Sequence, residues 1–410
     1  MPAAGHSAAG LSVGPLLKLM GALWLVGVAM RMTILAVPPV IPLVHAELRM
    51  TETQVGLLVG LPLLMFAVAA VPGSLLIAWS GPRLAMIAGM LIAALAGAAR
   101  AAAVDVGTLY AAAIATGFGV AIMQPGLPTL VQQWLPGRVA LGTIAYTSGM
   151  LMGATFPPLL TIPYVLPLAG GSWRIDLLLW AVPALLIAPL FLLLSPKTDR
   201  AALKTATRLW WPDFKNPLIW LLGLAFGSNN SPYFATSAFL GDYLTSKGRA
   251  DLLGPALTWL NGTQIAALVV LLLMSGRLAR RAWPFLIFGP MLLAALLMMI
   301  ITSSGIGILG AAALIGFATA MTLTPMLALP PVLCAPADLP RTAAGMFTIA
   351  YACAIIIPTI SGAPWDATGK PWTAFVPLCL CAVTLTVLGT LVTRWQPASD
   401  APARETSGGR

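Results

Sequence analysis

The sequence predicts an all-α membrane protein of twelve transmembrane helices, arranged as two bundles of six. Of its 410 residues, 59% are hydrophobic and only 8% are charged, whereas soluble chains carry about 25% charged residues. The mean hydropathy is +0.93, and the apolar runs are long enough to cross a bilayer, which takes about 20 residues. This composition excludes an ordinary soluble enzyme and a disordered chain.

The apolar runs form two groups of six on either side of a polar, basic stretch. The first six are predicted at 16–45, 53–79, 83–103, 107–132, 141–167 and 174–195. The second six are predicted at 216–243, 254–276, 284–304, 306–332, 341–362 and 372–394. We therefore predict a disordered tail, a six-helix bundle, a cytoplasmic linker, a second bundle and a second disordered tail, at 1–15, 16–195, 196–215, 216–394 and 395–410.

The basic residues indicate how the chain is oriented in the membrane. If both termini face the cytoplasm, most of the 22 lysines and arginines lie in cytoplasmic segments, as the positive-inside rule requires. We therefore expect a multi-pass protein of a bacterial-type inner membrane with both termini in the cytoplasm. The net charge of +10 comes from short clusters between apolar runs, so no nucleic-acid partner is expected.

The two halves of the sequence carry weak repeats of one another. LPGRVALG at 135–142 and LPRTAAG at 339–345 precede the fifth and eleventh runs, so that Arg138 corresponds to Arg341. A parallel duplication of six-helix units predicts a central cavity near the bilayer midplane. We expect Arg138 and Arg341 to act in a cytoplasmic gate, together with Arg83, and to meet helix C-terminal carbonyls or acids of the opposing loops when the inside is closed. The alternative is that they only set topology.

This six-plus-six plan with a basic central linker resembles the major facilitator superfamily. That superfamily has a signature of the form GxLADRxGRR in the loop between the second and third spans. The corresponding segment here is SLLIAWSGPR at 74–83, in which Gly81 and Arg83 match the signature. The resemblance implies a secondary transporter that moves a small-molecule substrate by alternating access. We expect it to act as a monomer in the lipid bilayer.

Three further features resemble the cyanate and nitroimidazole porter branch of that superfamily. They are Arg31 in the first run, PGSLLI at 72–77 and WDATGKPW at 365–372. An arginine is typical of the first span in this branch. The resemblance therefore implies a small monoanion, such as cyanate, or a neutral nitroheterocycle as the transported solute.

Arg31 is the residue that carries most information about function. It lies near the middle of the first run, where a charge costs roughly 2.5–3.5 kcal/mol on insertion scales. No acidic residue lies near the middle of any predicted span, so a bound anion could supply the counter-charge, bidentately if it is a flat oxyanion. The alternative is that Arg31 bonds to backbone carbonyls freed around Pro38 and Pro39, or to amide side chains.

Other polar side chains lie deep enough in the predicted spans to face the cavity. Asn229 and Asn230 lie beside Pro232, where a broken helix would expose backbone groups to substrate. For each candidate the alternative is a hydrogen bond between helices that needs no substrate. The full set of candidate binding residues besides Arg31 is Gln124, Tyr146, Asn229, Asn230, Tyr233, Asn261, Gln264 and Tyr351.

The function that these features favour is transport of a small monoanion, with export of neutral nitroheterocycles as the alternative. A membrane-embedded enzyme or structural subunit is disfavoured, because no His, Asp, Glu or Cys cluster suited to catalysis lies at depth. We see no phosphate-binding loop, dinucleotide motif or metal-ligand spacing, so we predict no cofactor and no metal site. Asp242 and Asp366, near outer helix ends, are expected to be solvated.

Overall fold

The computed structural model describes residues 13–68, 73, 76–77, 79–135, 138–196, 212–274, 281–334 and 338–395. Its first six long helices are α1 (Val13–Leu35), α2 (Glu52–Val68), α3 (Pro82–Ala99), α4 (Val106–Trp134), α5 (Val139–Leu160) and α6 (Trp173–Leu194). The next six are α7 (Pro217–Ser246), α8 (Leu253–Leu273), α9 (Trp283–Ile301), α10 (Gly305–Ala328), α11 (Leu339–Thr368) and α12 (Val376–Thr393). Beyond α1, the chain continues through short helices at Pro38–Val40 and Ile41–Leu48.

The observed helices confirm the predicted all-α membrane fold. In the described part of the chain, ten helical segments are long and apolar enough to cross a bilayer. The two further long helices are α2, which is apolar but shorter, and α7, which has 30 residues with polar side chains at its centre. Together they agree with the predicted six-plus-six arrangement. Most of the two predicted tails and of the linker lies outside the described residues, so the domain boundaries stay predictions.

Prolines shape α5 and α7 in different ways. Beyond α5, the chain passes into a π-helical turn at Thr161–Val165, whose wider backbone accommodates Pro163, a residue without an N–H to donate. In contrast, α7 continues through Pro232 as one helix. The break that the sequence suggested beside Asn229 and Asn230 is therefore wrong. Most of α7 is buried, and the packing of its neighbours outweighs the local preference of proline.

Glycines bring α1 and α5 into backbone contact within the N-terminal half (α1 to α6). A Cβ atom on Gly149 would meet the backbone of Trp24, and one on Gly153 would meet the backbone of Val28. Small residues spaced four apart permit such close approach between membrane helices. This contact fixes α1, the helix that carries Arg31, against its own half.

The N-terminal half meets the C-terminal half (α7 to α12) on the side opposite the two chain ends, which we call the distal side. There α2 packs against α11 so tightly that a Cβ on Gly56 would meet the carbonyl oxygen of Pro358. A Cβ on Gly60 would lie 2.7 Å from the Cα of Ile355. The hydrogen bonds that join a described residue of one half to a described residue of the other lie at the distal side or at the centre. The structure is therefore closed on the distal side.

We predict that Gly56→Ala opens the distal side. The added methyl group would overlap the backbone of Pro358, which cannot move aside as a flexible side chain can, so α2 and α11 must separate. The measurement is the labelling rate of a cysteine introduced at the buried Val59 by a membrane-impermeant thiol reagent, in a background without other cysteines. We expect a several-fold increase.

The matched control is Gly262→Ala on α8, because a Cβ atom there has nothing within 4 Å. This variant should leave the labelling rate unchanged. Equal labelling of the Gly56→Ala and parent proteins would show that the backbone contact does not close the distal side.

Candidate functional site

Arg31 lies on α1 at the boundary between the two halves. Its guanidinium carbon is 5.8 Å from the centroid of the Phe234 ring on α7, a cation–π distance that is worth about 0.5–2 kcal/mol. The ion pairs found among the described residues involve other cations, so none of the described carboxylates neutralises Arg31. The site therefore contains a positive charge that is half-buried and faces an aromatic ring.

Tyr233 is held beside Arg31 by polar side chains of α8. Its hydroxyl donates to Oδ1 of Asn261 over 2.6 Å, and Nδ2 of Asn261 donates to the Leu257 carbonyl over 2.8 Å. Gln264, one turn further along α8, also interacts with this hydroxyl, and the phenol interacts electrostatically with Arg31. Three of the predicted residues thus form one polar group with Arg31.

Tyr351 on α11 forms another wall of the site. Nε2 of Gln124 on α4 donates to its hydroxyl over 3.0 Å, which joins the two halves at the centre. Its ring meets the Phe66 ring edge-on at 5.0 Å and stacks on the Phe347 ring at 6.0 Å. Its phenol also interacts electrostatically with Arg31. A cation flanked by flat rings and hydroxyl groups is suited to a small anion or to a flat polar ring.

The other candidate binding residues occupy different positions. Asn229 is buried and its Oδ1 accepts a hydrogen bond of 2.6 Å from Thr322, so it joins α7 to α10 within the C-terminal half. Asn230 and Tyr146 are half-buried. The structure brings together Arg31, Gln124, Tyr233, Asn261, Gln264 and Tyr351.

The three arginines predicted to act in a gate differ in their surroundings. Nε of Arg83 donates to Ser195 over 2.8 Å, and its Nη2 donates to the Leu192 carbonyl over 2.7 Å. It therefore ties the start of α3 to the end of α6 inside the N-terminal half. Arg138 is half-buried just before α5, and Arg341 lies in the first turn of α11, with its side chain outside the described set. A gating role for all three stays a prediction.

Arg100, just after α3, is a buried arginine that the sequence pattern does not single out. Its side chain is only 2% exposed, and Nη1 donates to the Thr33 carbonyl over 2.7 Å. In a continuous helix the N–H of Val37 would donate to the Thr33 carbonyl. Here it donates to the Ile34 carbonyl, so the Thr33 carbonyl is available to Arg100. Arg100 thus takes the backbone-bonding role that the sequence offered as an alternative for Arg31. Its small apolar neighbours on both sides were the signal that could have revealed the burial.

Four side chains meet at the distal side and form what we call the distal cluster: His45, Glu52, Asp242 and Asp366. Nδ1 of His45 lies 3.0 Å from Oδ2 of Asp242 and 3.9 Å from Oε1 of Glu52. Asp366 accepts hydrogen bonds from the N–H groups of Glu52 and Thr53, over 2.8 and 2.9 Å. The expectation that Asp242 is solvated is wrong, because its side chain is only 11% exposed.

Comparison with known proteins identifies the family. Residues 23–359 match the Major Facilitator Superfamily. The chain belongs to this family. It is 26% identical to the 2-nitroimidazole transporter of Escherichia coli (strain K12) over 57% of this chain. It is 25% identical to the cyanate transport protein CynX of the same organism over 63% of this chain.

The matched regions span 59% and 66% of the lengths of those two relatives. The fold is also that of a bacterial homologue of the human lysosomal transporter Spinster, solved in an inward-facing and occupied conformation. The TM-score is 0.71 at 15% identity, covering 95% of this chain and all of that one. These findings place the chain in a transporter family rather than among enzymes, as the sequence predicts.

We predict that Asp366→Asn loosens the distal closure. Asp366 on α11 acts as a charged cap for the first turn of α2 across the two halves, and a side-chain amide would replace one acceptor oxygen with a donor. Loss of such a cap costs about 1 kcal/mol, or roughly fivefold in the equilibrium between closed and open distal sides.

The same cysteine at Val59 serves as the reporter for this variant. Asp251→Asn is the control, because this carboxylate also lies on the distal side but is 63% exposed and pairs with Arg249 in its own half. If both variants are labelled at the parent rate, the cap does not stabilise the closed state.

Proposed function

We propose that the protein is a secondary transporter that moves a small monoanion, such as cyanate, through the central site by alternating access. The observation that carries this proposal is the positive charge of Arg31, which none of the described carboxylates neutralises. A bound anion would supply the missing counter-charge and accept hydrogen bonds from the guanidinium. The relative named as a cyanate transport protein supports this substrate class.

The arrangement of the two halves supports an alternating-access cycle. The pairs Arg31–Phe234 and Gln124–Tyr351 both cross from one half to the other at the centre, so a substrate there would contact both halves. Opening of the distal side would require the contacts between α2 and α11 to separate. We place the protein in a bacterial-type inner membrane with both chain ends on the cytoplasmic side, because most basic residues lie on that side.

A second candidate substrate is a neutral nitroheterocycle. The Tyr351 ring lies 5.0 Å from the Phe66 ring and 6.0 Å from the Phe347 ring, and Phe234 lies beside Arg31. Such rings can stack on a flat heterocycle, while the guanidinium can donate to the two oxygens of a nitro group. The relative named as a 2-nitroimidazole transporter supports this alternative.

We predict that Arg31→Ala abolishes substrate binding and that Arg31→Lys weakens it nearly as much. Lysine keeps the positive charge but loses the planar set of donors that can grip an anion or a nitro group. The measurement is a thermal-shift screen of the purified protein against small anions and nitroheterocycles, followed by uptake into proteoliposomes. Ligands that stabilise the parent protein should have no effect on Arg31→Ala.

Lys18→Ala is the matched control, because Lys18 is an exposed cation on the same helix. It should bind and transport as the parent does. Full activity of Arg31→Ala would overturn the assignment of the central site, and full activity of Arg31→Lys would exclude recognition by the planar guanidinium.

Phe347→Leu separates the two substrate classes. A ring contact is worth about 0.5–1.5 kcal/mol beyond its buried area, so the affinity for a nitroheterocycle should fall roughly three- to tenfold. The affinity for cyanate, which has no ring to stack, should stay within about twofold of the parent value. Competition binding with both ligands on the same preparation measures the two effects. Equal loss for both ligands would show that Phe347 only supports the fold of the site.

A further inference from the structure

Three side chains of the distal cluster place potential metal ligands close together. One ligand atom each from His45, Glu52 and Asp242 lies within 4.8 Å of the others, and Nδ1 of His45 is 3.0 and 3.9 Å from the two carboxylates. In a tetrahedral site with metal–ligand bonds of about 2.0–2.2 Å, the ligand atoms lie roughly 3.3–3.6 Å apart. The two separations from His45 bracket this range and the third is at most 4.8 Å, so side-chain movements within the cluster would complete the geometry.

Glu52 is a buried carboxylate that lacks a partner at one oxygen. The residue is 6% exposed, and its Oε2 has no hydrogen-bond partner among the described residues. The titratable groups that face it are His45 from the segment after α1, Asp242 from α7 and Asp366 from α11. The carboxylates of Glu52 and Asp242 thus lie beside one imidazole, and the exposed carboxylate of Asp366 faces Glu52. Burying such an excess of negative charge is costly unless a cation or a proton joins the cluster.

A metal ion satisfies this cluster better than a proton does. A proton on Glu52 would neutralise one negative charge, but it could join this side chain to only one neighbouring acceptor. A divalent ion would instead engage the imidazole nitrogen and both carboxylates together. One nitrogen and two carboxylate oxygens form a donor set that suits Zn²⁺, with a fourth position left for water.

We propose that the distal cluster binds a divalent transition-metal ion of the Zn²⁺ type through His45, Glu52 and Asp242 when the distal side is closed. The first two ligands belong to the N-terminal half and the third to the C-terminal half, so the ion bridges the halves and holds them together. His45 and Asp242 are 197 residues apart in the chain. This separation explains why the sequence, which predicts no metal site, gives no ligand spacing to recognise.

The test uses the purified full-length protein with Zn²⁺ and with Co²⁺ as a spectroscopic probe. Titration calorimetry should show one tight Zn²⁺ site, and Co²⁺ should give the strong visible absorption of tetrahedral coordination. Glu52→Gln and Asp242→Asn should each weaken this site by about tenfold or more, since each removes one ligand charge. Asp251→Asn, an exposed distal carboxylate outside the cluster, should bind as the parent does. Comparison with this control removes any background from the cysteines or His6.

A second readout tests whether the ion bridges the halves. Zn²⁺ should slow the labelling of a cysteine at Val59 in the parent protein and leave the rate unchanged in Asp242→Asn. Equal Zn²⁺ affinity in the parent, Glu52→Gln and Asp242→Asn proteins would overturn the proposal. Distal closure that responds to pH but not to Zn²⁺ would also overturn it, and would assign a proton to Glu52 instead. Size-exclusion profiles and helical circular dichroism confirm that each variant is folded.

Discussion

A positive charge inside a bilayer has to be satisfied by the protein or by a ligand, and this constraint organises the centre of the molecule. The two arginines near α1 meet it differently. Arg100 is fully buried and bonds to a carbonyl that α1 leaves available at Thr33, so its charge stabilises the bend of the chain after α1. Arg31 is half-buried against Phe234 and faces the other half. Its hydrogen-bonding capacity is therefore directed to the site where a ligand would bind.

The distal closure combines contacts that differ in how easily they break. The glycine contacts between α2 and α11 depend on shape and lose roughly a quarter to a half of their dispersion attraction once the helices move apart by about 0.5–1 Å. The cap from Asp366 to the N–H groups of α2 is polar, and water can replace it when the distal side opens. Water and lipid replace many of the contacts that break when the distal side opens. The free energies of the closed and open states can therefore differ by only a few kcal/mol. A small differential affinity for a ligand is then enough to switch them.

The sequence predicts the helices and the centre of the site better than it predicts the distal side. Long apolar runs specify membrane helices by composition alone, and polar residues such as Gln124, Tyr233 and Asn261 are conspicuous inside them. In contrast, polar residues at helix ends look like ordinary solvated loops. His45 and Asp242 pair across 197 residues, and Glu52 and Asp366 across 314, so no local pattern reveals them. The continuity of α7 through Pro232 likewise depends on tertiary packing.

The central site and the distal cluster are built on the same helices, which gives a physical route between them. The segment that carries Arg31 leads to His45, and α7 carries both Phe234 and Asp242. Eight residues separate the last two along α7, which is about 12 Å at 1.5 Å per residue. Likewise, α11 carries both Tyr351 of the central site and Asp366 of the distal cluster, which lie further apart along their helix than Phe234 and Asp242 do. Since helices move as rigid bodies, a ligand that draws the two halves together at the centre must also change the spacing of the distal cluster. In the proposed cycle, binding at one place and closure at the other are then coupled, and each changes the equilibrium of the other by the same factor.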